Sequence, residues 1–364
     1  MSQERRLIVW LLVFAALGTF VYVLRGALLP FVTAMAVAYL LDPVADRLER
    51  RGVPRTLASL LIIFVFIIAL AAILVILVPI LVDQVTDLVA RAPGYIDSLR
   101  KEATPILRKI RSSLTPGQAA QIDAAIKSHA GDMVGWIGTI VSGILSGGAA
   151  LVGIIGLFFI VPVVAFYMIR DWDRFVAHVD SLLPQENATT IRTLAREIDD
   201  RLSGFVRGQT LVCLLLGAWY ATGLTLVGLD FALLLGIGAG ILSIIPYLGN
   251  IVGLGISLLL AFAQFDSWVR IALVAGVFLS GQVLEGNFVT PKILGDRVGL
   301  HPVWLMFAVI AGGALLGITG ALLAVPMAAA LGVLIRFAVQ RYRESPLYTG
   351  GDKDVQTAKP SDGR

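Results

Sequence analysis

Two stretches of this chain, Phe231–Phe265 and Val303–Ile335, each run for more than 30 residues without a charge, and each carries a polar or glycine-rich break near its middle. About 20 apolar residues cross a membrane once, and two crossings with a turn need about 40 or more. The runs are too long for one crossing and too short for two. A hairpin that dips into the membrane and returns to the same face fits this length. A single long, tilted and kinked helix is the other geometry. Irregular backbone at membrane depth persists only where protein or a water-filled cavity covers it. Interrupted segments in corresponding positions of two halves point to a transport site.

The composition agrees with a polytopic membrane chain. Apolar residues make up 57% and charged residues 15% of the sequence, and the mean hydropathy is +0.86. The net charge of +4 comes largely from arginines in short loops, which reads as a membrane topology signal and not as nucleic-acid binding. Cys213 is the only cysteine, so no intrachain disulfide can form. The apolar start Leu7–Leu24 follows Arg5 and Arg6, has no small-residue cleavage site with a polar sequel, and reads as a retained first span.

The fold class expected is an all-α polytopic membrane protein with about eight membrane segments. They are Leu7–Leu24, Ala27–Leu41, Leu57–Val82, Ala149–Ile169, Thr210–Leu229, Ile271–Leu284 and the two long runs. Ala27–Leu41 and Ile271–Leu284 are short and must extend into their polar flanks. Residues 1–82 hold spans 1–3. Residues 83–148 form a small helical insertion divided by Pro93, Pro105 and Pro116, and 149–169 form the fourth span. Residues 170–208 are amphipathic, with Ile191, Leu194, Ala195, Ile198 and Leu202 on one stripe. Residues 209–335 are the transport core, with hairpins at 231–265 and 303–335. Residues 336–364 form a tail whose end has no apolar periodicity. The basic loop Arg47, Arg50, Arg51 and Arg55 places both termini in the cytoplasm and the 83–148 insertion outside.

A short internal repeat runs through the core. Gly208-Gln209-Thr210 leads to Val227-Gly228-Leu229-Asp230 and the first long run; Gly281-Gln282-Val283 leads to Val298-Gly299-Leu300-His301 and the second. Two span-plus-hairpin units inserted from opposite faces would give an inverted transporter repeat. In the first break, Pro246 removes a donor, Gly249 permits a positive φ, and Asn250 is placed to cap the returning helix. In the second, Gly312, Gly313, Gly317 and Gly320 allow either a tight tip or close helix packing, and the spacing of Gly236 and Gly240 in the first run suits helix packing. Glu285 ends a membrane run, where a carboxylate needs water or a partner, and Gln282 and Asn287 lie beside it. Arg207 and Gln209 are candidates for holding the two repeats together or for anchoring the chain at the membrane interface. His301 reads as either a proton-linked switch or a helix cap, and Lys292, Asp296 and Arg297 as surface charges.

No phosphate-binding glycine loop is present, and the three histidines and one cysteine lie too far apart for a zinc site. No cofactor, no metal and no catalytic triad is expected, so the chain reads as a non-enzyme driven by an ion gradient or by its substrate's own gradient.

The ordered motifs Ile245-Pro246-Tyr247-Leu248-Gly249-Asn250, Glu285-Gly286-Asn287 to Pro291-Lys292, Val298-Gly299-Leu300-His301-Pro302, the Gly312–Gly320 cluster and Ala324-Val325-Pro326 resemble the AI-2E family, also called the PerM family. The resemblance covers nearly the whole chain. It implies a bacterial inner-membrane protein with two re-entrant hairpins, assembled as a homo-pentamer of elevator-like transporters in contact with membrane lipid. Some members resemble exporters of autoinducer-2, a quorum-sensing signal, and others sodium/proton antiporters. Asn250 and Thr290 fall at positions that vary in the family. For an exporter, the substrate-binding residues expected are Pro246, Tyr247, Gly249, Asn250, Gly313, Gly317 and Thr319, whose backbone and amide groups suit a neutral, hydroxyl-rich molecule. For an antiporter, the ion-coupling cluster expected is Gln282, Glu285, Asn287, Gln209 and Arg207, with Asp230, Asp266 and Asp199 or Asp200 as other acids near the membrane. A structural role for the insertion is the third reading.

Overall fold

A computed structural model describes residues 22–111, 148–287 and 301–349, together with residues 12, 16, 18 and 19 before them. Most of the expected first span, the middle of the insertion, Thr290, Lys292, Asp296, Arg297 and the end of the tail lie outside the described residues. Every regular element among the described residues is helical. In chain order they are α1 (Arg25–Glu49), α2 (Arg55–Arg111), α3 (Gly148–Ser181), α4 (Ala188–Val227), α5 (Ala232–Leu242), α6 (Leu248–Gln264), α7 (Trp268–Leu284), α8 (Pro302–Glu344) and α9 (Pro346–Thr349). Five of the described helices are long and apolar enough to cross a membrane. On α2, Leu60, Leu61, Phe64, Val65, Ile68, Ile73, Val75 and Ile76 stand exposed, as a helix bathed in lipid requires.

The chain divides into two compact units. One contains residues 1–172 and 206–295, the other 173–205 and 296–364.

In the first unit, α1, α2 and α3 meet at a core of small and branched residues: Ala34, Ala38 and Ala45 on α1, Ile62 and Ile63 on α2, Val161, Ala165 and Ile169 on α3. The three alanines spaced along α1 let the other helices approach closely. One cation closes the end of this core. Arg55 reaches Asp42 and Asp46 at 2.5 Å each and Glu49 at 2.9 Å, while its Nε donates to the Ile169 carbonyl at 3.0 Å. The arginine is therefore a structural clamp as well as a basic loop residue. Removing it would leave three carboxylates facing one another; because they are partly exposed, the cost is about 2 kcal/mol, below that of a fully buried pair.

Several boundaries expected from the sequence are crossed by continuous helix. α1 extends the short apolar run to Glu49, so the polar flank completes the span. α2 continues unbroken to Arg111, through Pro93 and Pro105, which do not divide it as expected. A helix interior tolerates proline at the loss of one backbone hydrogen bond where the rest of the rod is firmly formed. α4 likewise joins the amphipathic segment to the following span without interruption.

Both long runs double back. After α5 the chain breaks at residues 243–247 and returns as α6. The two ends of the run meet: Gln264 at the end of α6 donates to the Gly228 carbonyl (3.0 Å) and accepts from the Asp230 amide (2.9 Å) before α5 begins. At 1.5 Å per residue, α5 and α6 are about 17 and 26 Å long, short of a 30 Å hydrocarbon core.

The second unit holds the other reversal. α8 would be a 43-residue rod, but Gly317 inside it has φ 64° and ψ −144°. A methyl group on Gly320 would lie 2.0 Å from the Gly312 carbonyl oxygen, and one on Gly312 would lie 3.3 Å from the Ala324 side chain. Residues 8 and 12 apart in a straight helix are separated by about 12 and 18 Å, so the chain reverses at Gly317. The 42-residue apolar stretch is thus not one straight span, although its length and composition would allow a crossing.

Candidate functional site

The break between α5 and α6 draws together most of the polar side chains that the sequence places in the first half of the transport core. α5 packs tightly against α4 because Gly236 and Gly240 have no side chains. A methyl group at Gly236 would lie 2.2 Å from the Ala221 nitrogen, and one at Gly240 would lie 2.3 Å from the Gly217 Cα. These two glycines serve helix packing.

The break is held from two sides by the glutamines of the internal repeat. Gln209, buried on α4, donates to the Ser243 carbonyl at the end of α5 (2.6 Å). Gln282 on α7 accepts from the Asn250 side-chain amide at the start of α6. One glutamine thus satisfies a carbonyl freed by the end of a helix, and the other holds the first turn of the next. Ser243 also bonds back to the Ala239 carbonyl (2.8 Å).

Two local expectations are corrected here. The left-handed residue is Tyr247 (φ 68°), while Gly249 has an ordinary φ. Gly249 is needed for space: a methyl group there would lie 2.2 Å from the Ala239 carbonyl oxygen and 2.3 Å from the Ser243 hydroxyl. Asn250 does not cap α6, whose N-cap is Tyr247 without a side-chain bond, because its amide is committed to Gln282. A non-glycine residue in the left-handed region costs about 1–3 kcal/mol, so the turn at Tyr247 is strained. The first helical bond of α6 runs from Ile251 to the Tyr247 carbonyl, so the Gly249 and Asn250 amides have no helical acceptor.

The other predicted residues separate. Arg207 donates to the Tyr39 carbonyl on α1 (3.0 Å) and ties α4 to α1, not one repeat to the other. Asn287 is exposed and bonds the Val283 carbonyl one turn back (3.2 Å), outside the Gln282 contact. Asp230, an ion candidate by sequence, accepts from the Tyr95 hydroxyl at 2.6 Å and faces Arg91 at 3.6 Å. Gln84 accepts from the Leu234 amide on α5 (2.9 Å). The far part of α2 therefore clasps the base of the first reversal, which is where Asp230 is used. His301 caps α8 by accepting from the Val303 amide (3.4 Å). In the second unit, Gly317 forms the tip, Thr319 is buried beside it, and a methyl group on Gly313 would touch only the Ala321 side chain at 3.9 Å.

Glu285 follows α7 directly, in a short π-helical turn of residues 285–287. It is partly buried, and no salt bridge reaches it among the described residues. Tyr220 on α4 meets the helix turn that precedes it, at Gly281. Tyr220 was not singled out by sequence. Its ring is fully buried, stacked on Phe278 at 4.6 Å, and presses against Gly281, where a methyl group would lie 2.3 Å from the ring. The signal that could have found it is a tyrosine in the middle of an apolar span, since a buried phenol needs a partner for its hydroxyl. Among the described residues no cluster of metal-ligating side chains occurs.

Comparison with known proteins agrees in length as well as in motif. Residues 9–340 match the profile of the AI-2E family transporter. YrrI of Bacillus subtilis strain 168 is 31% identical over 86% of this chain and 87% of its own length. YueF of the same organism is 29% identical, covering 85% and 83%. PerM of Escherichia coli K12 is 26% identical, covering 86% and 88%. The names of all three are provisional: transport protein for the two Bacillus chains, permease for PerM.

Proposed function

The chain belongs to the AI-2E transporter family, and from that premise we propose that it is a secondary transporter exporting a small polar molecule across the bacterial inner membrane. Autoinducer-2 is the first candidate. The observation that carries this reading is the first reversal: two helical arms too short to cross a membrane, with a polar break between them held by Gln209 and Gln282. In this reading both reversals are re-entrant hairpins, entering the membrane from opposite faces and moving in an elevator-like manner. Each hairpin carries its own candidate substrate contacts, Pro246, Tyr247, Gly249 and Asn250 on the first and Gly313, Gly317 and Thr319 on the second. The protein works as a homo-pentamer with both termini in the cytoplasm.

Glu285 supports a second reading, sodium/proton antiport. A partly buried carboxylate in a membrane segment is a functional candidate by its cost alone, and Gln282 lies one turn before it on the same helix.

One experiment separates the two. Purified protein in proteoliposomes is offered autoinducer-2, and separately Na⁺ under an imposed pH gradient. Autoinducer-2 movement without cation exchange supports export; cation exchange that disappears in Glu285→Gln supports antiport. The membrane sidedness of the first hairpin is read by labelling single cysteines at Leu226 and Asp266 in a chain lacking Cys213. Labelling from opposite faces would rule out re-entrance.

A further inference from the structure

We propose that the Tyr220 hydroxyl and the free side-chain atom of Asn250 bind one hydroxyl group of an uncharged solute, and that Glu285 beside them excludes anions. The inference rests on the transporter reading above and names the chemistry of its site in the first unit.

Among the described residues, two buried polar atoms near the α5–α6 break have no partner: the Tyr220 hydroxyl and the Asn250 Oδ1. They flank one short piece of α7. Tyr220 lies against Gly281, and Asn250 bonds the neighbouring Gln282. Leaving such atoms unpaired costs about 1–3 kcal/mol each, so an unpaired donor and an unpaired acceptor beside the same helix turn call for an occupant. A neutral phenol donates, and the Asn250 oxygen accepts. Turning both amides end for end exchanges their roles but still leaves one Asn250 atom unpartnered. A hydroxyl group, which donates and accepts at once, suits both arrangements. A cation would leave the phenol proton unused, and an anion would leave the amide oxygen unused.

Charge favours the same class. Glu285 follows one turn after Gly281, against which the Tyr220 ring presses, and the C-terminal end of the α7 dipole adds to its negative potential. The first-turn amides of α6 pull the other way with about half an elementary charge, less than the full charge that Glu285 carries when ionised. The site would therefore take an unphosphorylated polyol and reject its phosphate ester. Since Tyr220 is fully buried, the occupant enters when Gln282 releases Asn250 and the strained turn at Tyr247 opens.

The test uses the full-length protein, in detergent for thermal unfolding and in proteoliposomes for flux. Autoinducer-2 and ribitol serve as neutral probes and ribitol 5-phosphate as the anionic one. Wild type should be stabilised by a neutral probe and move it, and ignore the phosphate. Without probe, Tyr220→Phe should unfold at the wild-type temperature or above it, because an unpaired hydroxyl is removed. Its apparent affinity for the neutral probe should fall about tenfold, the worth of one hydrogen bond. Asn250→Ala should lose a similar factor, and Glu285→Gln should begin to bind the phosphate ester. If Tyr220→Phe and Asn250→Ala both bind and move the neutral probes as wild type does, this site assignment falls while the transporter reading stands. If wild type takes the phosphate ester as readily as ribitol, the anion filter falls. If wild type moves no neutral probe but exchanges Na⁺ for protons, the exporter reading falls and this inference with it.

Discussion

The two reversals solve one problem by different means. In the first, side chains hold the turn: Gln209 and Gln282 grip the tip, Gln264 joins the two ends, and Gln84, Arg91 and Tyr95 reach the base. In the second, the backbone itself closes the turn, through one positive-φ glycine and the direct contact of Gly312 with Gly320. Its lower arm reaches another element through Arg336, 3.6 Å from Glu197, a partly exposed pair of little energetic weight. A turn pinned by side chains can be released by exchanging hydrogen bonds. A turn closed by glycine contacts has no side-chain bond to exchange.

The comparison can be broken in order of effect. Gly320→Ala should be the most damaging change, because its methyl group meets backbone and not a flexible side chain; a loss of about 3 kcal/mol is expected, read by thermal unfolding in detergent. Gly249→Ala should match it in the first hairpin, and easy tolerance of either would show that the corresponding turn is not closed as described. Next comes Gln209→Ala, which leaves the Ser243 carbonyl unpaired in a buried place and should cost about 2 kcal/mol. Gly317→Ala isolates strain from clash, since no atom lies within 4 Å of the added methyl; about 1.5 kcal/mol is expected from the backbone alone. Tyr95→Phe removes the bond to Asp230 at a cost of about 1 kcal/mol, and should also speed hydrogen exchange at the base of the first hairpin relative to its tip.

The smallest effect lies in the second unit, on its exposed charges. The Arg192 guanidinium, bonded to both oxygens of Asp180, holds that carboxyl below its ordinary value. A carboxylate depressed in the folded state contributes stability above its unfolded pKa and loses it as pH falls through the folded value. Acidification should therefore weaken the second unit slightly from this pair, and Asp180→Asn should abolish that part of the pH dependence. Both residues are exposed, so a large shift would mean that the pair is buried by something else.

Length and spacing made the two reversals legible, because a run of about 35 apolar residues fits neither one span nor two. The interior of the first turn was less legible. Pro246 and Gly249 marked the break, but Tyr247, not the glycine, takes the left-handed conformation, and Gly249 is there for space, because α6 passes so close to Ser243 and Ala239 that only glycine fits. The repeat words Gly208-Gln209 and Gly281-Gln282 showed that the glutamines correspond, but not that both act on the same break. Asp230 read as a possible ion ligand because its partners, Arg91 and Tyr95, lie some 135 residues away in sequence. Tyr220 was hidden for the same reason: a single tyrosine in an apolar span carries no mark of what its hydroxyl faces. The prolines of the insertion misled in the opposite direction, since local rules would have cut a helix that the fold keeps whole.

That uncut helix has a mechanical consequence. α2 runs 57 residues, about 85 Å, as one rod. Its contacts with the first hairpin at Gln84, Arg91 and Tyr95 lie well along that length and act as a fulcrum. The last 16 residues beyond Tyr95 form a lever of about 24 Å, so tilting the rod by 10° would carry Arg111 through about 4 Å. A push on that far end, from whatever meets the insertion, would load the contacts at Gln84, Arg91 and Tyr95 that join the rod to the base of the hairpin.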